Sequence, residues 1–142
     1  MGKGLYDDIR QEAREGEDTC LETRIFASDI DPSAVALARE NARKAGVLKY
    51  IDFSVCDAAK APLFNEKGVI VCNPPYGERL MDRTSCESLY RRMGRHFDSF
   101  PNAGKYILTS HESFETCYGR NADKKRKLYN GMLKCYLYQY FK

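Results

Sequence analysis

The run Asn73-Pro74-Pro75-Tyr76 holds the residues best suited to chemistry. Two consecutive prolines fix φ twice and remove two backbone donors. Pro74 also pushes Asn73 out of the helical region. The segment therefore reads as a stiff, extended loop with bare carbonyls and an aromatic ring at its tip. Such a loop can aim the Asn73 side-chain oxygen and the Pro74 carbonyl at one spot, while Tyr76 stacks on a flat group held there. That is a receptor for a planar group bearing an exocyclic NH2. The lone pair of such an amine is delocalised into its ring, so it is a poor nucleophile. Accepting both N–H bonds favours a pyramidal nitrogen and aims its lone pair. Alignment of this kind can supply several kcal/mol of a barrier, up to about 7–11. An ordinary Pro-rich turn is the bland alternative for a bare four-residue string.

The loop needs a scaffold, and the flanking pattern supplies one. Arg24–Ser28 reads as a short strand running to Asp29, Tyr50–Val55 as a second running to Asp57, and Gly68–Cys72 as a third ending at Asn73. Each strand end carries a short polar acceptor. A lone strand-end Asp is usually a cap or turn former, but three at successive strand ends point to a shared site. Open parallel sheets bind ligands at the carboxyl ends of their strands. Between the first two strands, Asp31 can cap a helix with Pro32 at its first position. Ala34, Val35, Ala38, Ala42 and Ala45 form its apolar face, Arg43 and Lys44 suit its negative end, and Gly46 suits its C-terminus.

Leu5, Ile9 and Ala13 predict an opening helix that Gly16 ends. Thr84 to Glu87 matches a capping box before a helix with Leu89, Met93 and Phe97 in line. Lys105–Thr109 reads as a fourth strand, and Ser110 as the cap of a short helix carrying Phe114 and Cys117 and ending at Gly119. Asn130-Gly131 between two β-rich runs predicts a type I′ hairpin turn. The alternation predicts an α/β fold with a mostly parallel sheet flanked by helices and closed by a C-terminal β-hairpin.

Composition sets the bounds. The chain has 142 residues, 43% hydrophobic and 30% charged, with a net charge of +3. That suits one globular domain with a real core. No apolar run reaches the ~18 residues of a membrane span, and no signal-peptide pattern opens the chain. The six cysteines show no CxxC pair and no zinc-type spacing with His. All six read as reduced, in a cytoplasmic protein, with no metal site. His96 and His111 lack a partner at a telling spacing and are expected at the surface or at helix ends. Charge is uneven: residues 1–31 carry nine acids against four bases, and residues 119–142 seven bases against one acid. The basic end holds Lys124-Lys125-Arg126-Lys127, followed by Tyr129, Tyr136, Tyr138, Tyr140 and Phe141. Bases interleaved with aromatics suit phosphate neutralisation and base stacking; a solvated strand face is the common alternative.

With these residues in view, the sequence resembles S-adenosylmethionine-dependent methyltransferases that act on planar amino groups. More closely, it is similar to bacterial 23S rRNA guanine-N2 methyltransferases with an N-terminal THUMP domain, often labelled N6-adenine-specific DNA methylases. The resemblance runs through Ser28-Asp29-Ile30-Asp31-Pro32, Asn41-Ala42, Asn73-Pro74-Pro75-Tyr76-Gly77-Glu78-Arg79 and Lys125-Arg126-Lys127-Leu128-Tyr129-Asn130-Gly131, and covers about residues 5–142. It implies a Rossmann-like class I methyltransferase sheet. It also implies roles: Asp29 accepts from the cofactor ribose, Ile30 packs on its adenine, and Asp57 accepts from the adenine amino group. Asn73 and Pro74 hold the target amine, with Asn73 also among the cofactor-binding residues, and Pro75 and Tyr76 complete the catalytic loop, with Tyr76 on the target base. Arg79 is expected to touch an RNA phosphate, or to be a plain surface arginine. The implied cofactor is S-adenosylmethionine and the implied partner is 23S rRNA.

Against that family, the first strand, the glycine-rich cofactor loop and the THUMP domain are expected to be missing. Only Gly2-Lys3-Gly4 has glycine-loop spacing, with no strand before it. Residues 1–142 then read as a partial, C-terminal portion of the catalytic domain, with a gapped sheet that a second copy could complete as a homo-oligomer. Two other readings stand beside this one. One is a DNA adenine-N6 methyltransferase. The other is an inactive fragment acting only as an RNA-binding or dimerising module.

Overall fold

A computed structural model describes residues 3–17, 24–62, 67–76 and 82–141. Gly2, Cys20 and the stretch Gly77 to Leu80, including Arg79, lie outside the described residues. In chain order the elements are helix α1 (Lys3–Glu15), strand β1 (Ile25–Asp29), helix α2 (Pro32–Lys44), strand β2 (Ile51–Val55), strand β3 (Gly68–Cys72), helix α3 (Arg83–Asp98), strand β4 (Ala103–Thr109), helix α4 (Phe114–Tyr118), and strands β5 (Lys124–Asn130) and β6 (Leu133–Tyr140). Short 3-10 turns at Leu48–Tyr50 and Ala58–Lys60 flank β2. The strands form two sheets: β1 beside β2, and a four-stranded sheet in the order β3-β4-β6-β5. Within the second sheet β3 and β4 are parallel, and β6 pairs antiparallel with both β4 and β5.

The chain divides into two compact units. The first takes in Met1–Ala27 and Asp31–Ser54, the second Ser28–Ile30 and Val55–Lys142. In the first unit, α2 starts as its sequence dictates: the Asp31 carboxylate accepts from the Ser33 N–H at 2.8 Å, and Pro32 opens the helix. Gly46 follows its C-terminus at φ 75°, the left-handed turn that glycine adopts at least cost. Of the expected apolar face only Val35 and Ala42 are buried. The Arg24 guanidinium donates twice to Asp52, at 2.7 and 2.8 Å. In α1, Leu5, Tyr6 and Ile9 stand exposed.

The core lies in the second unit. Cys86, Leu89, Tyr90, Met93 and Phe97 of α3 and Phe114, Cys117 and Tyr118 of α4 pack with Ile107 of β4 and Tyr138 and Tyr140 of β6. The inward residues of β4 alternate strictly, Ala103, Lys105, Ile107 and Thr109 all being buried, as one face of a pleated strand requires. Gly94 lets the two helices close up: a Cβ there would collide with the Tyr118 carbonyl. Gly119 ends α4 at φ 90°.

Three local expectations are corrected. Helix α3 is capped by Asp82, whose carboxylate accepts from the Ser85 N–H at 3.0 Å and from its hydroxyl at 2.6 Å; Thr84 lies inside the helix. The carboxylate one residue before Arg83 outcompetes the hydroxyl because it takes both Ser85 donors at once. Helix α4 begins after Ser113, not Ser110. The hairpin register pairs Asn130 with Leu133, so the turn is Gly131-Met132, one residue later than expected. Gly131 supplies the positive φ, 62°, at its first position.

Candidate active site at the strand ends

The second unit contains all seven residues expected at the site, Asp29, Ile30, Asp57, Asn73, Pro74, Pro75 and Tyr76. Strand β1 ends at Asp29, whose carbonyl accepts from the Cys56 N–H at 2.9 Å. That bond sets the segment after β1 beside the segment carrying Asp57. Asp29 is exposed, and Ile30, next to it, leaves an apolar side chain 69% exposed. Strand β2 ends two residues before Asp57. The Asp57 carboxylate is mostly buried and already engaged. One oxygen accepts from the Ala59 N–H at 2.9 Å, the other from Arg92 of α3 at 2.6 Å. Burial pushes its acidity down, but the Arg92 hydrogen bond, the Ala59 N–H and the charges of Arg92 and Lys60 outweigh it. Asp57 therefore sits below the ordinary carboxylate range. Each of its oxygens keeps a second lone pair for a further donor.

Asn73 directly follows β3 and is exposed, and its side-chain amide makes no hydrogen bond among the described residues. Pro74 is buried, and Pro75 and Tyr76 are half-buried. The loop is fastened from below by a residue that sequence reasoning missed. Tyr90, fully buried in α3, donates its hydroxyl hydrogen to the Pro75 carbonyl at 2.6 Å and lies 3.3 Å from the Thr109 hydroxyl at the end of β4. Burial chiefly pushes the Tyr90 phenol up to about 12, so it remains a proton donor at any physiological pH. Tyr90 could be read only as an apolar position of a helix, because its partner lies fifteen residues back across a loop.

His111 corrects a further expectation. It is buried, not at the surface. Its backbone N–H donates to the Thr109 hydroxyl at 3.1 Å, and its ring meets Tyr90 edge-on at 5.3 Å. Sequence gave no sign of this, since His111 lies just past a strand that reads as ended. His96 is half-buried in the last turn of α3, with Nε2 2.9 Å from the Ala61 carbonyl. A cavity of about 380 Å3 opens beside the loop tip, bounded by Tyr76, Arg83, Ser110, His111, Lys134 and Tyr136 among others. Of the seven expected site residues only Tyr76 lines it.

The basic end forms the hairpin β5–β6. Cross-strand pairing sets Lys125 opposite Tyr138, Lys127 opposite Tyr136 and Tyr129 opposite Lys134, so lysines and tyrosines alternate over one face. The Lys125 ammonium sits 4.6 Å from the Tyr136 ring centre and 4.7 Å from that of Tyr138. Lys127 lies 5.1 Å from Tyr129, and Lys134 5.3 Å from Tyr136. Tyr138 is buried, Tyr136 half-buried and Tyr129 exposed, so the ladder emerges from the core toward the turn.

Strand ends bearing Asp29 and Asn73, a diproline loop after β3 and an antiparallel strand β6 beside β4 define a class I methyltransferase architecture. The similarities agree. Residues 1–139 match the RMKL-like methyltransferase domain, and the chain belongs to that family. It is 44% identical over 141 residues to the Bacillus subtilis protein named "Putative RNA methyltransferase YpsC", covering 99% of this chain and 37% of that one. It is 39% identical over 134 residues to the ribosomal RNA large subunit methyltransferase K/L of Shewanella sediminis, covering 94% and 19%. The crystal structure of SMU.472, described as "a putative methyltransferase complexed with SAH", superposes with a TM-score of 0.89 at 38% identity, covering 99% of this chain and 37% of that one. The chain thus spans a fifth to somewhat over a third of the length of these relatives.

Two outcomes follow. Tyr90→Phe strips the Pro75 carbonyl of its donor, and urea unfolding should show a loss of about 1–2 kcal/mol. Asp57→Asn should cost about 1 kcal/mol at pH 7, the half-exposed Arg92 limiting the gain. Because the folded carboxyl is the stronger acid, its contribution is present above the unfolded pKa of about 3.9 and is lost as pH falls through the lower folded value. The gap between wild type and variant should therefore close below about pH 4; a gap unchanged from pH 7 to pH 3 would contradict the assignment.

Proposed function

We propose that this domain transfers a methyl group from S-adenosylmethionine to the exocyclic amine of a nucleic-acid base, with guanine N2 of 23S rRNA as the substrate. The observation that carries the reading is the fastened diproline loop. Its Pro75 carbonyl is held by Tyr90, while the Asn73 amide beside it stands exposed and without a hydrogen bond among the described residues. An acceptor held in place before the substrate arrives needs no reorganisation during reaction, which is where an electrostatic contribution is largest.

The residues fit the cofactor. Asp29 offers an exposed carboxylate for ribose hydroxyls, Ile30 an exposed apolar surface for a purine, and Asp57 its remaining lone pairs for an amino group. When bound, the cofactor supplies an electrophilic methyl on a sulfonium. The chain's own contribution is alignment. The Asn73 side-chain oxygen and the Pro74 carbonyl accept the two N–H bonds of the amine, and Tyr76 stacks on the base. No strong base is needed before transfer, since the amine becomes acidic only once methylated. Family membership and the relatives' names support a methyltransferase acting on RNA. The lysine–tyrosine ladder of the hairpin suits that partner, with ammonium groups for phosphates and rings for unstacked bases. A base within structured RNA must leave its stack to reach such a loop.

Methyl transfer into undermethylated 23S rRNA tests the proposal. Asn73→Ala should lower kcat by about a hundredfold or more, the scale seen when one preorganised hydrogen-bond partner of a reacting centre is removed. Near-normal turnover of Asn73→Ala would remove the loop from the reaction.

A further inference from the structure

We propose that the tip of the β5–β6 hairpin is a wedge for helical RNA, with Met132 entering the base stack that the target nucleotide leaves. The identity of the polymer rests on the function proposed above. Strands β3 and β4 run parallel, so the diproline loop leaves the sheet at the same end as Thr109, the last residue of β4. Strand β6 pairs Tyr136 with Thr109. Three further cross-strand pairs, Leu128–Cys135, Tyr129–Lys134 and Asn130–Leu133, continue the hairpin beyond that last β4 pair. At about 3.4 Å per residue, the two-stranded ribbon stands roughly 10 Å past the end of β4, on the side of the diproline loop. Tyr76 of that loop and Lys134 and Tyr136 of the hairpin border one cavity, so the ribbon rises next to the loop tip.

Met132 sits at the summit. Gly131 and Met132 make the turn, Gly131 at φ 62°, and the Met132 side chain is fully exposed. A lone exposed apolar residue is ordinary on a protein surface. Met132 differs in its company. Tyr129, exposed as well, stands in the second pair below the turn, opposite Lys134. Lys127 and Lys134 are exposed, and only tyrosines meet their ammonium groups among the described residues. Lys125, further down, is by contrast tied to Glu115 at 3.2 Å. The free charge of the hairpin therefore lies near its tip, where ammonium groups can hold phosphates whatever the sequence. Methionine is long, unbranched and polarizable, and fills irregular gaps. Apolar side chains, Met among them, part adjacent base steps when a protein unstacks nucleic acid. The diproline loop needs such help, because a stacked base cannot present its amine to Asn73. A wedge filling the vacated space offsets the contacts that the departing base gives up.

The fluorescence of 2-aminopurine, quenched while that base is stacked, reads the wedge without any methyl transfer. The probe is a fully paired RNA stem with one internal 2-aminopurine, titrated to saturation with the full chain and followed by anisotropy. Wild type should raise the emission severalfold. Met132→Ala, brought to the same saturation, should lose most of that rise, and Met132→Leu should restore it. An unchanged unfolding midpoint confirms that each variant is folded. Methyl transfer gives a second readout, on undermethylated 23S rRNA folded in magnesium and on the same RNA unfolded by heat and held without magnesium. Met132→Ala should slow transfer to the folded RNA about tenfold more than transfer to the unfolded RNA, a modest share of the cost of unstacking. No rise with wild type, an equal rise with Met132→Ala, no recovery with Met132→Leu, or equal slowing on both RNAs would each overturn the proposal. The two readings fail separately. A rise that depends on Met132 without methyl transfer faults the reaction alone, and transfer indifferent to Met132 faults the wedge alone.

Discussion

The arrangement depends on one partly buried hydrogen bond, from the Tyr90 hydroxyl to the Pro75 carbonyl. Leaving a phenol unpaired inside a core costs about 1–3 kcal/mol, a cost Tyr90 avoids. The sheet supplies Thr109 on one side and the loop supplies Pro75 on the other. The loop cannot satisfy itself by folding into a helix or joining a ladder, since its two prolines have no N–H to give. Its carbonyls must therefore be met from outside. Tyr90 meets one of them, and the residue at the head of the loop, Asn73, is left exposed.

The other elements serve this fastening. Helix α3 carries Tyr90 to the loop and Arg92 to Asp57, so a single helix braces the segments after two strands. Gly94, one turn further on, lets α4 settle against that helix and fill the core with Phe114 and Tyr118. Phe114 stacks on Tyr118 and tilts against Tyr138, and Tyr118 in turn meets Tyr140, joining the helices to the hairpin. Rigidity at the loop and the position of the lysine–tyrosine face therefore share one core.

What the sequence made legible was local. Asp31-Pro32, Gly46 and Gly119 announce helix ends through geometry that needs no distant partner, and Gly68–Cys72 followed by Asn-Pro-Pro-Tyr places the loop at a strand end. What stayed hidden was long-range. Tyr90 looks like any apolar residue at helical spacing until its hydroxyl meets a carbonyl fifteen residues away. His111 sits one residue past a polar serine, where exposure is the ordinary expectation, and only the packing of α3 behind it buries the ring. The engagement of Asp57 by Arg92 is of the same kind, thirty-five residues apart. The hairpin turn slipped by one residue because Asn130 is held in the ladder opposite Leu133, leaving Gly131 to make the bend.

The central claim is that the loop after β3 grips an exocyclic amine. Mass spectrometry of nucleosides released from rRNA treated with the protein and S-adenosylmethionine addresses it most directly. The account predicts a methyl group on an amino nitrogen, as N2-methylguanosine. A methyl group on a ring carbon or a ribose oxygen would contradict it.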